Sequence, residues 1–171
     1  MLLGSTFEIA NATKHDLKKF DCGKSSLNEY LSRFSIKNNM LGLSRTWVLP
    51  GKAGGNKADV AAYYTLAGSS VSREALPKQS KSLPAYPVPI ILLARLAVSL
   101  EYQHKQLGMK TLVHALQTAC SLSQQGIPAV GVVIDVLDNE AMNFYHHAGI
   151  FTPFSDNPLR LFVHMSAIAQ L

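Results

Sequence analysis

Apolar and polar positions along the 171-residue chain change their period several times, and each change marks an element. Residues 7–10 read as a short first strand. Ser26, Leu27, Asn28 and Glu29 form a capping box, a hydroxyl followed three residues later by a carboxylate, which opens a helix. In that helix Leu27, Tyr30, Leu31, Phe34 and Leu41 make one apolar stripe, while Arg33 and Lys37, four apart, share the polar side. One face is expected to pack and the other to carry positive charge. After Gly42, residues 45–49 read as a strand, 50–56 as a Gly-rich turn and 60–67 as a second strand, together a hairpin. Residues 68–89, rich in Ser, Pro and Lys and without periodicity, predict a long exposed connection with one short helical turn.

The second half is more regular. Residues 90–99 are almost continuously apolar, as in a strand buried on both faces. Residues 106–125 predict a helix stopped by Gly126, and 129–136 another buried strand. Strand, helix, strand implies a right-handed parallel crossover. Residues 139–148 read as a short helix ended by Gly149, and 159–165 as a last strand. There is no internal repeat. The fold class expected is α/β (α+β), a mixed twisted sheet flanked by helices.

Composition narrows this to a compact protein: 47% hydrophobic and 16% charged residues suit one domain spanning residues 1–171. No apolar run approaches the roughly 18 residues of a membrane span, the longest, 89–100, being broken by Arg95. Met1-Leu2-Leu3-Gly4 lacks the basic and apolar regions of a secretory leader, so a cytoplasmic protein is expected. Cys22 and Cys120 are too few for a disulfide framework and wrongly spaced for zinc, and both thiols are expected reduced, with no metal site. The net charge of +5 is uneven: residues 1–85 hold 12 Lys/Arg against 6 Asp/Glu, residues 86–171 only 4 against 5. A basic N-terminal half suggests a polyanionic partner, although a merely solvated surface reads the same way.

Candidate chemistry gathers between residues 93 and 145. The turn Glu101-Tyr102-Gln103-His104-Lys105-Gln106-Leu107-Gly108 feeds a strand into a helix, aiming unpaired N–H groups and the positive end of the helix dipole at one point, with the Lys105 charge beside it. That alone is a weak signal, since any such turn offers amides. The order of the whole set is more specific. Arg95-Leu96-Ala97-Val98, Gln103 with Gly108 five residues later, a helix, Val132-Val133-Ile134-Asp135-Val136, and Asn139-Glu140-Ala141-Met142-Asn143-Phe144-Tyr145 before Gly149 resemble the GNAT superfamily of acetyl-CoA-dependent N-acetyltransferases.

That resemblance implies the GNAT fold, a central mixed sheet of about six to seven strands with the coenzyme at splayed central strands. It implies that the amides of Gln103, His104, Lys105, Gln106, Leu107 and Gly108 hold the coenzyme pyrophosphate. The backbone of Leu96, Ala97 and Val98 would bond the pantetheine arm, with Phe144 and Asp138 near the coenzyme, and Tyr145 would protonate the departing thiolate. Phe20-Asp21-Cys22-Gly23, Leu27-Asn28-Glu29-Tyr30-Leu31, Ser44-Arg45-Thr46-Trp47-Val48, Tyr63-Tyr64-Thr65-Leu66-Ala67 and Pro87-Val88-Pro89 look like GNAT-type toxins of bacterial type II toxin–antitoxin systems. Such toxins acetylate the α-amine of aminoacyl-tRNA, which blocks translation, are neutralised by a small ribbon-helix-helix antitoxin and commonly form homodimers. A tRNA substrate would use the basic half, with Arg33, Lys37 and Arg45 as candidate phosphate contacts.

The sequence departs from the family pattern where glycine is usual, at His104 and Gln106, and there two outcomes stay open. Either the loop keeps its amides in place with the side chains turned outward, or coenzyme binding is weakened or lost. Ala62 and Ile150 are smaller departures. Chemically, a phenol of pKa near 10 can protonate a thiolate whose acid titrates near 8.5 when the transfer is local, and the Val98 N–H is the expected donor to the oxyanion. No carboxylate declares itself as a base; an aminoacyl α-amine titrates near 7.7, so much of it is already neutral at pH 7 and a water relay suffices. His146 and His147 read as surface residues, Cys22 as packing, and Asp138 as a helix N-cap that also occupies a coenzyme-contacting position. Arg95, in a buried strand, needs a partner, either at the coenzyme or at a dimer interface. The competing readings are a GNAT acting on a small amine or protein N-terminus, with an acidic acceptor pocket, and a catalytically impaired module that binds RNA or antitoxin.

Overall fold

The computed structural model describes residues 6–77 and 82–171; residues 1–4, on which the expectation about a secretory leader rests, and the stretch 78–81 of the long connection lie outside the described residues. In chain order the elements are β1 (Glu8–Ile9), β2 (His15–Asp16), α1 (Ser25–Glu29), a π-helical turn (Tyr30–Phe34), α2 (Ser35–Met40), β3 (Arg45–Gly54), β4 (Lys57–Val71) and β5 (Val88–Val98). A 3₁₀ turn (Leu100–Tyr102), α3 (Leu107–Gln125), β6 (Gly131–Asp135), α4 (Asn139–Ala148), β7 (Thr152–Pro153), β8 (Arg160–His164) and α5 (Met165–Ile168) follow. The strands lie in the order β1-β3-β4-β5-β6-β8-β7, with β2 beside β4. This is the mixed α/β sheet expected. By contacts the chain forms two compact units, residues 1–67 with 95–112 and residues 68–94 with 113–171.

In the first unit β3 and β4 form an antiparallel hairpin whose register sets Thr46 opposite Thr65, Trp47 opposite Tyr64 and Val48 opposite Tyr63. Two sequence signatures therefore face each other. Their hydroxyls and rings pair as well: Thr46 and Thr65 share a buried 2.7 Å hydrogen bond, and Trp47 stacks on Tyr64 at 5.3 Å. The Gly-rich segment expected to turn is strand instead. Pro50 has no N–H for the ladder, and register shifts on either side of it absorb the defect, so pairing runs on to Gly54 opposite Lys57.

The helical segment also differs from its prediction. No side chain caps α1: the helix starts at Ser25 with Lys24 at the cap position, so Ser26 lies inside it and the expected capping box does not form. Asn28 turns back to the preceding loop, accepting from Cys22 N at 2.8 Å and donating to Asp21 Oδ1 at 2.9 Å. Tyr30 and Leu31 are buried as expected, but Phe34 is 45% and Leu41 60% exposed. The π turn is the cause: it holds more residues per turn than an α-helix, so the inward stripe slips by one. Ser35 takes the inward place, its hydroxyl donating to Leu31 O at 2.6 Å. Leu17, Phe20, Tyr30, Leu31, Val48, Val60, Tyr63 and Ala97 form the core beneath it.

In the second unit β5 and β6 pair in parallel, Ile91 to Leu93 against Val132 to Ile134, as the strand–helix–strand order predicts. β8 pairs antiparallel with β6, and β7 with β8. Gly131 is required there: a Cβ would meet Val163 O and the Phe162 ring. The connection after β4 is less exposed than expected, since Val71 and Leu76 join Val88, Ile90, Val133, Phe154 and Phe162 in one core. Arg73 Nη1 donates to Leu83 O at 2.7 Å and folds that connection back on itself. No helix among the described residues is long and apolar enough to cross a membrane, and none of their His, Cys, Asp and Glu side chains form a metal-binding group.

Candidate active site

The first unit brings together the last residues of β5 and the turn that follows. Leu96, Ala97 and Val98 end the strand; the 3₁₀ turn reverses the chain; Gln103, His104, Lys105 and Gln106 make the loop; Leu107 and Gly108 begin α3. Successive N–H groups of a strand alternate in direction. Ser99 N donates to Ala61 O of β4 at 2.9 Å, so the Val98 N–H and carbonyl point away from β4. Lys110 N, bonded to Gln106 O at 3.3 Å, closes the first turn of α3. The N–H groups of Leu107, Gly108 and Met109 precede it and have no helical carbonyl to meet, which leaves a cluster of donors at the positive end of a 19-residue helix.

His104 and Gln106 are the non-glycine residues of positive φ among the described residues, at 63° and 61°. An L-residue there sets its Cβ against the following carbonyl at a cost of about 1–2 kcal/mol. The loop thus adopts the left-handed backbone that glycine would give it, without glycine, and all three side chains of His104, Lys105 and Gln106 are exposed. The side chains are thus turned outward and the backbone accommodates both non-glycine residues.

Two residues not singled out from sequence hold the loop in place. Tyr102 is only 1% exposed, and its hydroxyl accepts from Lys52 N of β3 at 3.2 Å. Gly51 makes room for it, since a Cβ at 51 would lie 2.6 Å from the Tyr102 hydroxyl oxygen. A glycine in a predicted turn and a tyrosine next to a motif gave no sign of each other, because the pairing depends on β3 extending past Pro50. The Gln103 side chain turns back to the strand, Nε2 to Val98 O at 2.9 Å.

Tyr145, Phe144 and Asp138 belong to the second unit. Asp138 is the N-cap of α4, its carboxylate accepting from Ala141 N at 2.8 Å, and Gly149 at φ 74° ends the helix. Tyr145 is buried, with its ring edge-on to Phe144 at 5.1 Å and to Phe151 at 5.7 Å. Burial pushes its phenol well above the ordinary tyrosine value. His146 and His147 are exposed.

The three basic candidates sit on the first unit and are exposed. Arg33 pairs with Glu29 at 3.1 Å, and Arg45 Nε donates to Asn39 Oδ1 at 2.9 Å, which ties the start of β3 to α2. Arg95 lies over the Tyr30 ring, 4.2 Å from its centroid. Burial raises the Cys22 thiol pKa, which suits packing rather than nucleophilic chemistry. A cleft of about 220 Å³ in this unit is lined by Asp16, Lys19, Asp21, Asp59 and Glu101 among others. Much of its charge is spoken for, since Lys19 pairs with Asp59 at 3.3 Å and Asp21 accepts from Gly23 N and Asn28.

No family model matches the chain. A tRNA-acetylating toxin of Mycobacterium tuberculosis is 31% identical over 153 residues, 88% of this chain and 86% of that protein. The chain belongs to the GNAT toxin family. A solved tyrosine-to-phenylalanine mutant of KacT matches with a TM-score of 0.87 at 26% identity, covering 99% of both chains. AtaT complexed with acetyl-methionyl-tRNAfMet matches with 0.85 at 30% identity over 98% of both. AtaT carrying such a mutation, bound to the C-terminus of its antitoxin AtaR and acetyl-CoA, matches with 0.79 at 26% identity over 98% of this chain and 96% of that one. In this GNAT toxin His104 and Gln106, where the resemblance leads one to expect glycine, hold positive φ, and Ala62, another departure, is fully buried in the sheet beside Ala61.

Proposed function

We propose that this protein is a toxin acetyltransferase that moves an acetyl group from acetyl-CoA to the α-amine of aminoacyl-tRNA and thereby blocks translation. The observation that carries the reading is the loop 103–108: despite His104 and Gln106 it keeps the left-handed backbone at both positions and delivers the α3 amides in one direction. Those donors suit a pyrophosphate. The relatives support the acceptor, since one is named a tRNA-acetylating toxin and another was solved with acetyl-methionyl-tRNAfMet.

Acetyl-CoA supplies an activated thioester. The residues of the chain do the rest by holding and aiming. The amides of His104, Lys105, Gln106, Leu107 and Gly108 hold the phosphates, the Gln103 N–H being bonded to Leu100 O at 3.4 Å; Leu96, Ala97 and Val98 present backbone groups to the pantetheine arm; the Val98 N–H, turned away from β4, stabilises negative charge growing on the thioester oxygen. Tyr145 keeps its proton across the working pH range because burial raises its pKa, and releases it only as charge builds on sulfur. That KacT and AtaT were both solved as tyrosine-to-phenylalanine mutants supports this role. Phe144 and Phe151 keep water from the phenol. Asp138 contributes by capping α4. Arg33, Lys37 and Arg45 contact tRNA phosphate. The partners are a small ribbon-helix-helix antitoxin and a second copy of the chain in a homodimer, in the cytoplasm.

Labelled acetyl-CoA incubated with the protein and bulk charged tRNA is expected to label the aminoacyl-tRNA and leave uncharged tRNA blank. Label on free polyamines without label on charged tRNA overturns the reading and transfers attention to the acidic cleft around Asp16 and Asp59.

A further inference from the structure

We propose that Gln103 is a positioning residue for acetyl transfer, its side-chain amide fixing the direction of the Val98 N–H without touching the coenzyme. The proposal rests on the acetyltransferase reading above and adds a residue to it. Gln103 Nε2 donates to Val98 O at 2.9 Å and to Cys22 O at 3.2 Å. Both partners are carbonyls, so both amide protons are used and the amide can face them only with its nitrogen.

The peptide joining Val98 to Ser99 is consequently held from both sides. Its carbonyl accepts from Gln103, and its N–H donates to Ala61 O at 2.9 Å. With that plane held, the C-terminal side of Val98 is anchored within the extended strand, and this restricts the direction of the Val98 N–H, which lies on the same side as its carbonyl. The other anchor is equally tied down. Cys22 N donates to Asn28 Oδ1 at 2.8 Å, Asn28 Nδ2 donates to Asp21 Oδ1 at 2.9 Å, and Asp21 O accepts from Leu100 N at 2.9 Å. Hydrogen bonds thus run in a closed ring from Val98 through Gln103, Cys22, Asn28 and Asp21 to Leu100 and back along the chain. This accounts for the bonds that Asn28 makes back to the 21–22 turn, and for the packing of that turn against the loop at Gln103. Every member lies in the first unit, so the brace is complete within it.

An amide whose donors act through a neighbouring N–H affects turnover, whereas a group binding coenzyme affects its KM. Gln103→Ala removes both bonds. Gln103→Glu keeps the shape but sets a carboxylate against two carbonyls, and regains one donor only when protonated. The test is steady-state kinetics of the purified full chain with acetyl-CoA and charged tRNA, with melting temperature measured in parallel. Gln103→Ala is expected to lower kcat about tenfold while either KM moves less than about threefold, the effect of losing one aligned donor in part. Gln103→Glu is expected to lose more at pH 8, and to recover relative to the parent protein as the pH falls towards 5.5. A raised KM for acetyl-CoA with unchanged kcat, or a Gln103→Glu pH profile parallel to that of the parent, overturns the proposal. If Gln103→Ala fails to fold, the pH profile of the isosteric variant decides. A parent protein that transfers nothing to charged tRNA rejects the function itself, whereas an active parent with an equally active Gln103→Ala variant rejects only the role of Gln103.

Discussion

Replacing His104 and Gln106 together by glycine should make this protein more stable, which is unusual for glycine substitutions. Both residues sit at φ near +60° and are exposed, and neither side chain has a recorded hydrogen bond that the change would remove. Each left-handed L-residue costs about 1–2 kcal/mol. Glycine removes that strain but gives the unfolded chain extra freedom worth about 0.5–1 kcal/mol per site. The net gain is about 0.5–1 kcal/mol per site, or about 1–2 kcal/mol for the pair, which corresponds to a rise of a few degrees in Tm for a chain of this size. Equilibrium urea unfolding gives the number, and the control is the double alanine variant, which removes the same side chains but keeps the Cβ atoms. The glycine pair should unfold at higher urea than both the parent and the alanine pair, with the same m-value. If the glycine and alanine pairs have equal midpoints, the loop is not strained, and its left-handed backbone, on which the proposed coenzyme site rests, is wrong.

Tyr145→Phe should leave Tm within about a degree, because only a hydroxyl is lost, and lower the acetylation rate by about 10²-fold or more; an unchanged rate would place the proton donor elsewhere. Gly51→Ala should force Tyr102 from its seat, destabilise the fold by about 1–3 kcal/mol in urea unfolding and weaken acetyl-CoA binding measured by calorimetry; full affinity would show that Tyr102 does not anchor the loop. The Asp21 carboxylate is held below its usual pKa, chiefly by the Gly23 N–H and then by the Asn28 amide. Its contribution to stability is therefore present above about pH 4, the unfolded value, and lost as the pH falls through the depressed one. Asp21→Asn should flatten the stability–pH curve below pH 4, and an unaltered slope there contradicts the assignment. Burial raises the Tyr145 pKa, so its contribution is present below about pH 10 and lost as the pH rises further; Tyr145→Phe should be the more stable protein at high pH, as midpoints at pH 11 would report.

The order of elements and the strand, turn and helix around Gln103 were legible because each rests on local pattern. The apolar run before Gln103, the periodic helix after it and Gly149 behind α4 need no long-range information, and the structure places all three as expected. What escaped is what depends on distant partners. The capping box at Ser26 and Glu29 was a sound local reading, but the helix starts earlier, at Ser25, with Lys24 at the cap position, so Ser26 falls inside it. Phe34 and Leu41 fitted an α-helical stripe, and the π turn moved them out to solvent. Pro50 and Gly51 looked like a turn; a bulge let the strand continue, and only then does Gly51 meet Tyr102. His104 and Gln106 were read as departures, and composition cannot say whether a non-glycine residue accepts a left-handed φ. The packing of Tyr102 from one side and the Gln103 bonds from the other hold it there.

The central claim is that the acceptor is the α-amine of an amino acid on tRNA. It is tested most directly by treating charged tRNA with the protein and acetyl-CoA, digesting with ribonuclease and weighing the released 3′-terminal aminoacyl-adenosine by mass spectrometry. The account predicts a gain of one acetyl group on the aminoacyl fragment, absent with uncharged tRNA and strongly reduced with Tyr145→Phe. An unmodified aminoacyl-adenosine from a preparation that binds acetyl-CoA would contradict it.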